Sequence, residues 1–168
     1  MLYVIRHLVA VALLPVTMAV VIPWWLARRN GIELVVGPGP LRETLQLAGV
    51  AVLCVGLLVF ASSLRRFAGE GRGTLAPWDP PRELVVRGPY RYVRNPMISG
   101  VVLVLFAEAL ILQSRPHLEW ALLFLGINAI YIPLIEEPQL AMRFGDAYRE
   151  YCRHVPRLLP RWRPWEAG

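Results

Sequence analysis

Long apolar blocks separated by polar, arginine-bearing segments dominate the sequence. Four blocks stand out: Leu8–Ala27, Leu45–Leu64, Met97–Leu112 and Leu118–Ile135. At about 1.5 Å rise per residue, a helix of about 20 residues covers the roughly 30 Å hydrocarbon core of a bilayer. Because backbone groups in lipid need internal partners, helices are the expected form. The pattern predicts one all-α domain over residues 1–168, an integral membrane bundle of four transmembrane helices.

A shorter amphipathic pattern follows the last block. Apolar residues recur at helical spacing, at Phe144, Tyr148, Tyr151, Cys152 and Val155, while charged residues occupy much of the remaining surface. This spacing predicts a C-terminal amphipathic helix on the cytoplasmic side, lying against the lipid surface.

Composition and charge support a bilayer protein. The chain is 56% hydrophobic with mean hydropathy +0.46, and 18% of its residues are charged, which excludes an ordinary soluble enzyme and a disordered chain. All 18 basic residues are arginine, and the net charge is +6. Because the arginines flank apolar blocks, they indicate topology control and contact with anionic lipid rather than nucleic-acid binding. Most of them fall in the loop 65–96 and in the tail after residue 137, so both termini are expected in the cytoplasm.

Cysteine and histidine do not form a pattern with chemical meaning. Cys54 and Cys152 are too few for a disulfide framework, and the three histidines lack the spacing of metal ligands. The sequence predicts no metal site.

Two adjacent acids end the last block. Glu136 and Glu137 follow Ile135 directly, and neighbouring helix positions diverge by roughly 100°. One carboxylate can therefore face the bundle while the other faces solvent or an arginine. The plainer alternative is a polar stop to a membrane span, paired with Arg94 or Arg143.

The stretch Gly88–Pro96 precedes the third block and combines turn, aromatic and capping residues. Its first two residues favour a turn, and Pro96 suits the first turn of a helix. Asn95 then lies near the N-cap, where its side chain can accept from free backbone donors. Tyr90 and Tyr92 offer rings for stacking and hydroxyls for hydrogen bonds. The alternative is an interfacial anchor of tyrosine and arginine.

Inside the predicted spans, Glu108 and Asn128 are polar. Hydrogen bonds between helices are the favoured interpretation, and a polar lining for a substrate tunnel is the alternative.

Taken together, these motifs resemble the isoprenylcysteine carboxyl methyltransferase and phospholipid methyltransferase superfamily of integral membrane enzymes. The resemblance covers roughly the second half of the chain. It is carried by Leu84–Val86, Gly88–Pro96, the helical hairpin, Glu136–Glu137, Phe144–Tyr148, Tyr151, Val155–Arg157 and Pro160. The Pro77–Pro81 run is similar to a loop that bacterial members carry.

The resemblance implies methyl transfer from S-adenosylmethionine at the cytoplasmic face of a multi-pass protein of the bacterial inner membrane. The acceptor is expected to be a lipophilic small molecule or a lipidated substrate that enters from the lipid, and the C-terminal amphipathic helix is expected to close over the cofactor. Matched by position within residues 82–160, the cofactor-binding residues are Leu84, Val85, Tyr90, Arg94, Asn95, Pro96, Ile98 and Glu136. Glu137, as a proton acceptor for an amine nucleophile, and Arg94 are assigned to the catalytic step.

Three positions depart from the family pattern. Asn95 replaces a histidine and Ile98 a tyrosine, and asparagine cannot titrate near neutral pH. Ile132 lies where some prenylcysteine enzymes place an arginine for the substrate carboxylate, so a free prenylcysteine is disfavoured. Carboxyl, thiol and amine acceptors stay open, as does the oligomeric state. Two other functions compete: a membrane reductase of related architecture that uses NADPH, and a non-catalytic relative.

Overall fold

A computed structural model describes residues 12–34, 39–70 and 83–166. These residues form helices and connecting segments without any β-strand, which confirms the all-α class. The start of the first block at residues 8–11 and the Pro77–Pro81 run lie outside the described residues.

The first apolar block forms helix α1. It consists of a π-helical part, Ala12–Val21, continued by an α-helix, Ile22–Asn30. Pro15 lies in the π-helical part, where its missing N–H prevents a regular α-helical ladder. Gly31 closes the helix in the left-handed conformation with φ 60°. Helix α1 therefore extends almost a turn beyond the predicted end.

Helices α2 (Pro40–Glu70) and α3 (Pro96–Leu112) pack against each other along most of their length. Gly56 and Gly100 allow the close approach, since a Cβ added at Gly100 would lie 2.8 Å from the backbone nitrogen of Phe60. The third predicted span differs from α3 by one residue. Helix α2 is longer than its apolar block because polar turns extend it at both ends.

Helices α4 (Arg115–Tyr131) and α5 (Glu137–His154) are joined by a π-helical turn, Ile132–Glu136, without an intervening loop. Pro133 within that turn lacks the N–H that a regular α-helix would use. Gly145, with φ 56° and ψ −131°, interrupts α5. The fourth predicted span thus continues directly into the predicted tail helix.

The helices form an up-and-down bundle. In α4, Trp120 donates from Nε1 to the carbonyl of Met18 at 3.0 Å, and Nε2 of His117 lies 3.1 Å from the carbonyl of Pro23. These contacts make α1 and α4 antiparallel. One end of the bundle holds the start of α3, the end of α4 and all of the turn Ile132–Glu136. We call this the site end and the opposite end the far end.

Two helical segments, Pro40–Glu70 and Arg115–His154, are long and apolar enough to cross a membrane. Helix α3 is apolar but shorter. Each of the four predicted spans falls on a helix of the bundle, as far as the described residues reach. The prediction that Asn128 bonds to a neighbouring helix was wrong for its side-chain amide nitrogen. This nitrogen donates to the carbonyl of Phe124 in its own helix at 2.8 Å.

Candidate functional site

A glycine turn places Tyr90 at the site end of the bundle. Gly88 has φ +57°, and the side chain of Arg66 lies 3.3 Å from where a Cβ would be. Only glycine adopts this conformation at little cost while leaving room for that side chain. The 3₁₀ turn Gly88–Arg91 then directs the Tyr90 ring into a core formed with Phe67 and Val85.

The hydroxyl of Tyr90 is buried and has no hydrogen-bond partner among the described residues. Burial raises the pKa of Tyr90, and nearby Tyr151 and Glu136 raise it further. The hydroxyl therefore stays protonated and is available as a donor. The backbone is fixed independently, because the Tyr151 hydroxyl donates to the Tyr90 carbonyl at 2.7 Å.

Two arginines hold the carboxylate of Glu137. Arg157 donates from Nε to Oε1 at 2.8 Å and from Nη2 to Oε2 at 2.6 Å, a bidentate pair that raises the pKa of Arg157. Nη1 of Arg94 lies 3.0 Å from Oε1, and the side chains of Arg94 and Glu137 are 12% and 13% exposed. Both carboxylate oxygens are thus engaged by guanidinium groups.

Arg94 also has one N–H donor that finds no acceptor among the described residues. Its Nη1 donates to Sγ of Cys152 at 2.9 Å, but its Nε is buried and has no partner within the described chain. A buried N–H of a charged group without an acceptor is costly, so this position is suited to a ligand that supplies one.

Glu136 lies directly after the apolar part of its helix and in a different environment from Glu137. Burial raises its pKa to about 7, and the charge of Glu137 adds to that shift. Glu136 adjoins Glu137, whose carboxylate lies 3.0 Å from Arg94, so both acids lie at the same end of the bundle as the Gly88–Pro96 stretch. The paired acids and the Gly88–Pro96 stretch therefore converge, as the sequence predicted.

The chain after α5 runs alongside the Tyr90–Arg94 turn. Arg94 N–H donates to the Pro156 carbonyl at 2.9 Å, and the N–H groups of Arg161 and Trp165 donate to the carbonyls of Tyr92 and Arg91, each at 3.0 Å. These bonds place Arg157 against Glu137.

A second apolar cluster supports this arrangement. It consists of buried Tyr148, Tyr151 and Val155, with Leu84 packed against it. The apolar positions predicted for the tail helix thus pack onto the site.

Of the predicted site residues, the structure brings Val85, Tyr90, Arg94, Glu136 and Glu137 to one place, with Leu84 in the adjoining cluster. Asn95, Pro96 and Ile98 lie at the cap and first turn of α3 directly beside it.

The predicted capping role of the Asn95 side chain was wrong, since it makes no capping hydrogen bond. Its carbonyl instead accepts from the N–H and the hydroxyl of Ser99, each at 3.0 Å.

Arg157, Tyr151 and Cys152 were not predicted as site residues. Arg157 lies 20 positions after Glu137 and beyond the end of α5, so no helical spacing links the two. The inward apolar face of the tail helix was the signal available for Tyr151 and Cys152. The described residues contain no group of three His, Cys, Asp or Glu side chains suited to a metal ion.

A helical bundle with apolar candidate spans and a buried, arginine-paired acidic cluster at one end is typical of helical membrane proteins. The family model of phospholipid methyltransferase matches residues 45–147, more than half of the chain. The chain belongs to this family, within the superfamily that also includes the isoprenylcysteine enzymes.

Curated relatives agree with this membership. The chain is 34% identical over 77 residues to methanethiol S-methyltransferase 1 of Bradyrhizobium diazoefficiens, covering 44% of this chain and 25% of that protein. It is 35% identical over 71 residues to methanethiol S-methyltransferase of Mycobacterium tuberculosis, covering 42% and 28%. The matches thus span about a quarter of the length of these relatives.

Proposed function

We propose that the chain is an S-adenosylmethionine-dependent methyltransferase that acts on a lipophilic acceptor at the cytoplasmic face of the membrane. Family membership supports methyl transfer as the reaction class. The observation that carries the proposal for this chain is a pair of buried donors that find no acceptor among the described residues, the Tyr90 hydroxyl and the Arg94 Nε–H, at the end of the bundle where Glu136 is also buried.

These groups fit the chemistry of the proposed cofactor. S-adenosylmethionine supplies an electrophilic methyl group on a sulfonium, and it also carries a carboxylate, an amino group and ribose hydroxyls. The unpartnered donors of Tyr90 and Arg94 suit its acceptor atoms, and the Glu136 carboxylate suits its hydroxyl or amino donors. Leu84 and Val85 provide apolar surface.

Glu137 is better suited to positioning than to proton abstraction. Both of its oxygens accept from guanidinium groups, so neither is free to take a proton from an acceptor. It orders Arg94 and Arg157 instead. An amine acceptor, which needs a base, is disfavoured on this ground.

A thiol acceptor suits this site better than an amine. A thiolate needs no base once it has formed, and the neighbouring guanidinium groups of Arg94 and Arg157 favour the thiolate over the thiol. The two positive charges of Arg94 and Arg157 exceed the single negative charge of Glu137. The excess positive charge favours an anionic nucleophile nearby. The names of the relatives point the same way, because both are methanethiol S-methyltransferases. We therefore place lipophilic thiols before carboxyl and amine acceptors.

The membrane arrangement that we propose has four spans, with both termini and the site on the cytoplasmic face of a bacterial inner membrane and α5 at the lipid interface. The antiparallel order of the helices and the arginines around the site end support it.

Cofactor binding is tested on the full chain in lipid nanodiscs by titration calorimetry with S-adenosylhomocysteine and, separately, NADPH. We expect S-adenosylhomocysteine to bind and the Tyr90→Phe and Glu136→Gln variants to bind it about tenfold more weakly. Tyr131→Phe, a change on an exposed side chain of α4, is the matched control and should bind as the wild type does. Binding of NADPH alone would establish the reductase alternative, and binding of neither compound would leave a non-catalytic relative.

The acceptor is tested with methyl-labelled donor and three substrates: an aliphatic thiol, a prenylcysteine and phosphatidylethanolamine. Mass spectrometry then shows which product gains the label. We expect label in the thioether. Label in the phospholipid alone would overturn the thiol assignment while retaining methyl transfer.

A further inference from the structure

The chain after α5 exposes apolar side chains in a segment that is not helical. We call residues 157–163 the tail loop. Leu159 is 81% exposed and Trp162 fully exposed, although Val155 just before them is buried. Leu158 is also exposed, and Arg163 is exposed beside Trp162.

The backbone of the tail loop is anchored on both sides of these residues. Before it, the Pro156 carbonyl accepts from Arg94; within it, the Arg161 N–H donates to the Tyr92 carbonyl. After it, Trp165 is held by its own N–H and by Arg91, whose Nε donates to the Trp165 carbonyl at 2.7 Å. Because the backbone is hydrogen-bonded on both sides of Trp162, the exposure of this side chain belongs to the folded structure and does not result from a frayed chain end.

An anionic lipid surface fits this pattern. A non-helical backbone cannot enter hydrocarbon, but tryptophan and leucine at headgroup depth are favourable. Arg161 and Arg163 flank Trp162 in the sequence, and each arginine near an anionic leaflet contributes about 1 kcal/mol of attraction. The tail loop also lies at the site end, where its backbone runs beside that of Arg91 and Arg94.

We propose that the tail loop docks on the anionic phospholipid surface through Leu159, Trp162 and the charges of Arg161 and Arg163, and that docking tightens the cofactor site. The coupling follows from the hydrogen bonds, because the loop that would dock is bonded to Arg91 and Tyr92 and carries Arg157 to Glu137. The second part of the proposal, the tightening of the cofactor site, rests on the proposed function. Docking restricts the loop, and a restricted loop holds the Tyr90–Arg94 turn in its binding geometry.

Docking is tested by hydrogen exchange and mass spectrometry on the full chain in nanodiscs of phosphatidylcholine, alone or with about a third phosphatidylglycerol. We expect slower exchange of the tail loop and of residues 91–94 in the anionic nanodiscs, and loss of the difference at high salt. The Leu159→Ser, Trp162→Ser variant should show no such difference. Trp25→Ser, which alters an exposed tryptophan of α1, is the matched control and should keep it. Equal exchange of the wild type in both membranes would overturn docking.

The effect on the site is tested by S-adenosylhomocysteine affinity in the same nanodiscs. We expect S-adenosylhomocysteine to bind about fivefold more tightly with phosphatidylglycerol. This factor corresponds to the attraction of about 1 kcal/mol between one arginine and an anionic surface. The double variant should lose this gain and match the wild type in neutral lipid. Protection of the tail loop without protection of residues 91–94 would overturn the coupling. Absence of binding in both membranes, with both segments protected, would remove the proposed function and leave docking standing.

Discussion

The two ends of the bundle use buried polar groups in different ways. At the far end, Ser114 accepts from the His117 N–H as the N-cap of α4, and its hydroxyl lies 2.7 Å from Nδ1 of the His117 ring. The other ring nitrogen lies 3.1 Å from the Pro23 carbonyl, and Trp120 donates from Nε1 to the Met18 carbonyl. At the site end, Tyr90 and Arg94 each keep a buried donor without an acceptor in the described chain.

Under the proposed function, this difference separates polar groups that stabilise the bundle from polar groups that bind a ligand. The far-end bonds tie α1 to α4 and complete the hydrogen bonding of the groups involved, as buried polar groups in a stable interior require. At the site end, unpaired donors and closely spaced charges lower the stability of the folded protein. We therefore expect far-end variants to change stability alone and site-end variants to change ligand binding, sometimes with a gain in stability.

The largest expected effect is at Glu137. Replacing Glu137 with Ala leaves two guanidinium groups next to each other, Arg94 among them mostly buried, and should lower the free energy of unfolding by about 3 kcal/mol while abolishing methyl transfer. Urea unfolding in detergent measures it. The control is Glu119→Ala, which breaks an exposed pair with Arg115 and should cost less than about 0.5 kcal/mol. Similar losses in both variants would show that the Glu137 pairing adds little.

His117 is the corresponding test of the far end. The His117→Phe variant loses the bonds to Ser114 and Pro23 and should be less stable by about 2 kcal/mol. Its affinity for S-adenosylhomocysteine, measured by calorimetry under folded conditions, should equal that of the wild type. A large drop in affinity would break the distinction between the two ends.

Tyr90 offers the sharpest contrast between stability and binding. Because its hydroxyl is buried without a partner, Tyr90→Phe should raise the free energy of unfolding by about 1 kcal/mol, even as cofactor affinity falls. Tyr151→Phe is the control: it removes the bond to the Tyr90 carbonyl and should lower stability by about 1 kcal/mol. Loss of stability in both variants would mean that the Tyr90 hydroxyl has a structural partner.

Glu108 is an exception at the far end. Its Oε2 is buried without a partner in the described chain, and its side chain lines a cavity of about 230 Å³ together with Pro23, Trp24 and His117. Replacing it with Leu should raise stability by about 1 kcal/mol and leave methyl transfer unchanged. Reduced turnover at unaltered cofactor affinity would favour the tunnel-lining alternative.

The most gradual expected effect is the pH dependence of stability due to Glu136. Its pKa of about 7 in the folded protein lies above its ordinary value of 4.5. Between these values the folded state retains a proton that the unfolded state has lost, so stability falls as pH rises and then levels off above pH 7. We expect a loss of about 1 kcal/mol between pH 6 and pH 7 that Glu136→Gln removes. Unfolding curves that keep the same slope in the variant would assign the dependence to another group.

Much of the site could be predicted from the sequence because its parts are local motifs. The turn at Gly88, the helix start at Pro96 and the adjacent acids each depend on a few neighbouring residues, and the structure shows them as expected. The prediction that the Asn95 side chain caps the helix was wrong, because its backbone, with φ −120° and ψ 62°, departs from the extended conformation of a capping residue.

The apolar pattern by itself determined where the helices lie, that the class is all-α and which residues of the tail face inward, because burial and helical periodicity are written into consecutive positions. Tertiary structure alone decided that Arg157 would hold Glu137, that Tyr90 and Arg94 would keep buried donors without acceptors, and that the chain after α5 would bond to the Tyr90–Arg94 turn. These contacts join residues 20 to 74 positions apart. No local spacing encodes such pairs, since they depend on how the helices and the returning tail pack at one end of the bundle.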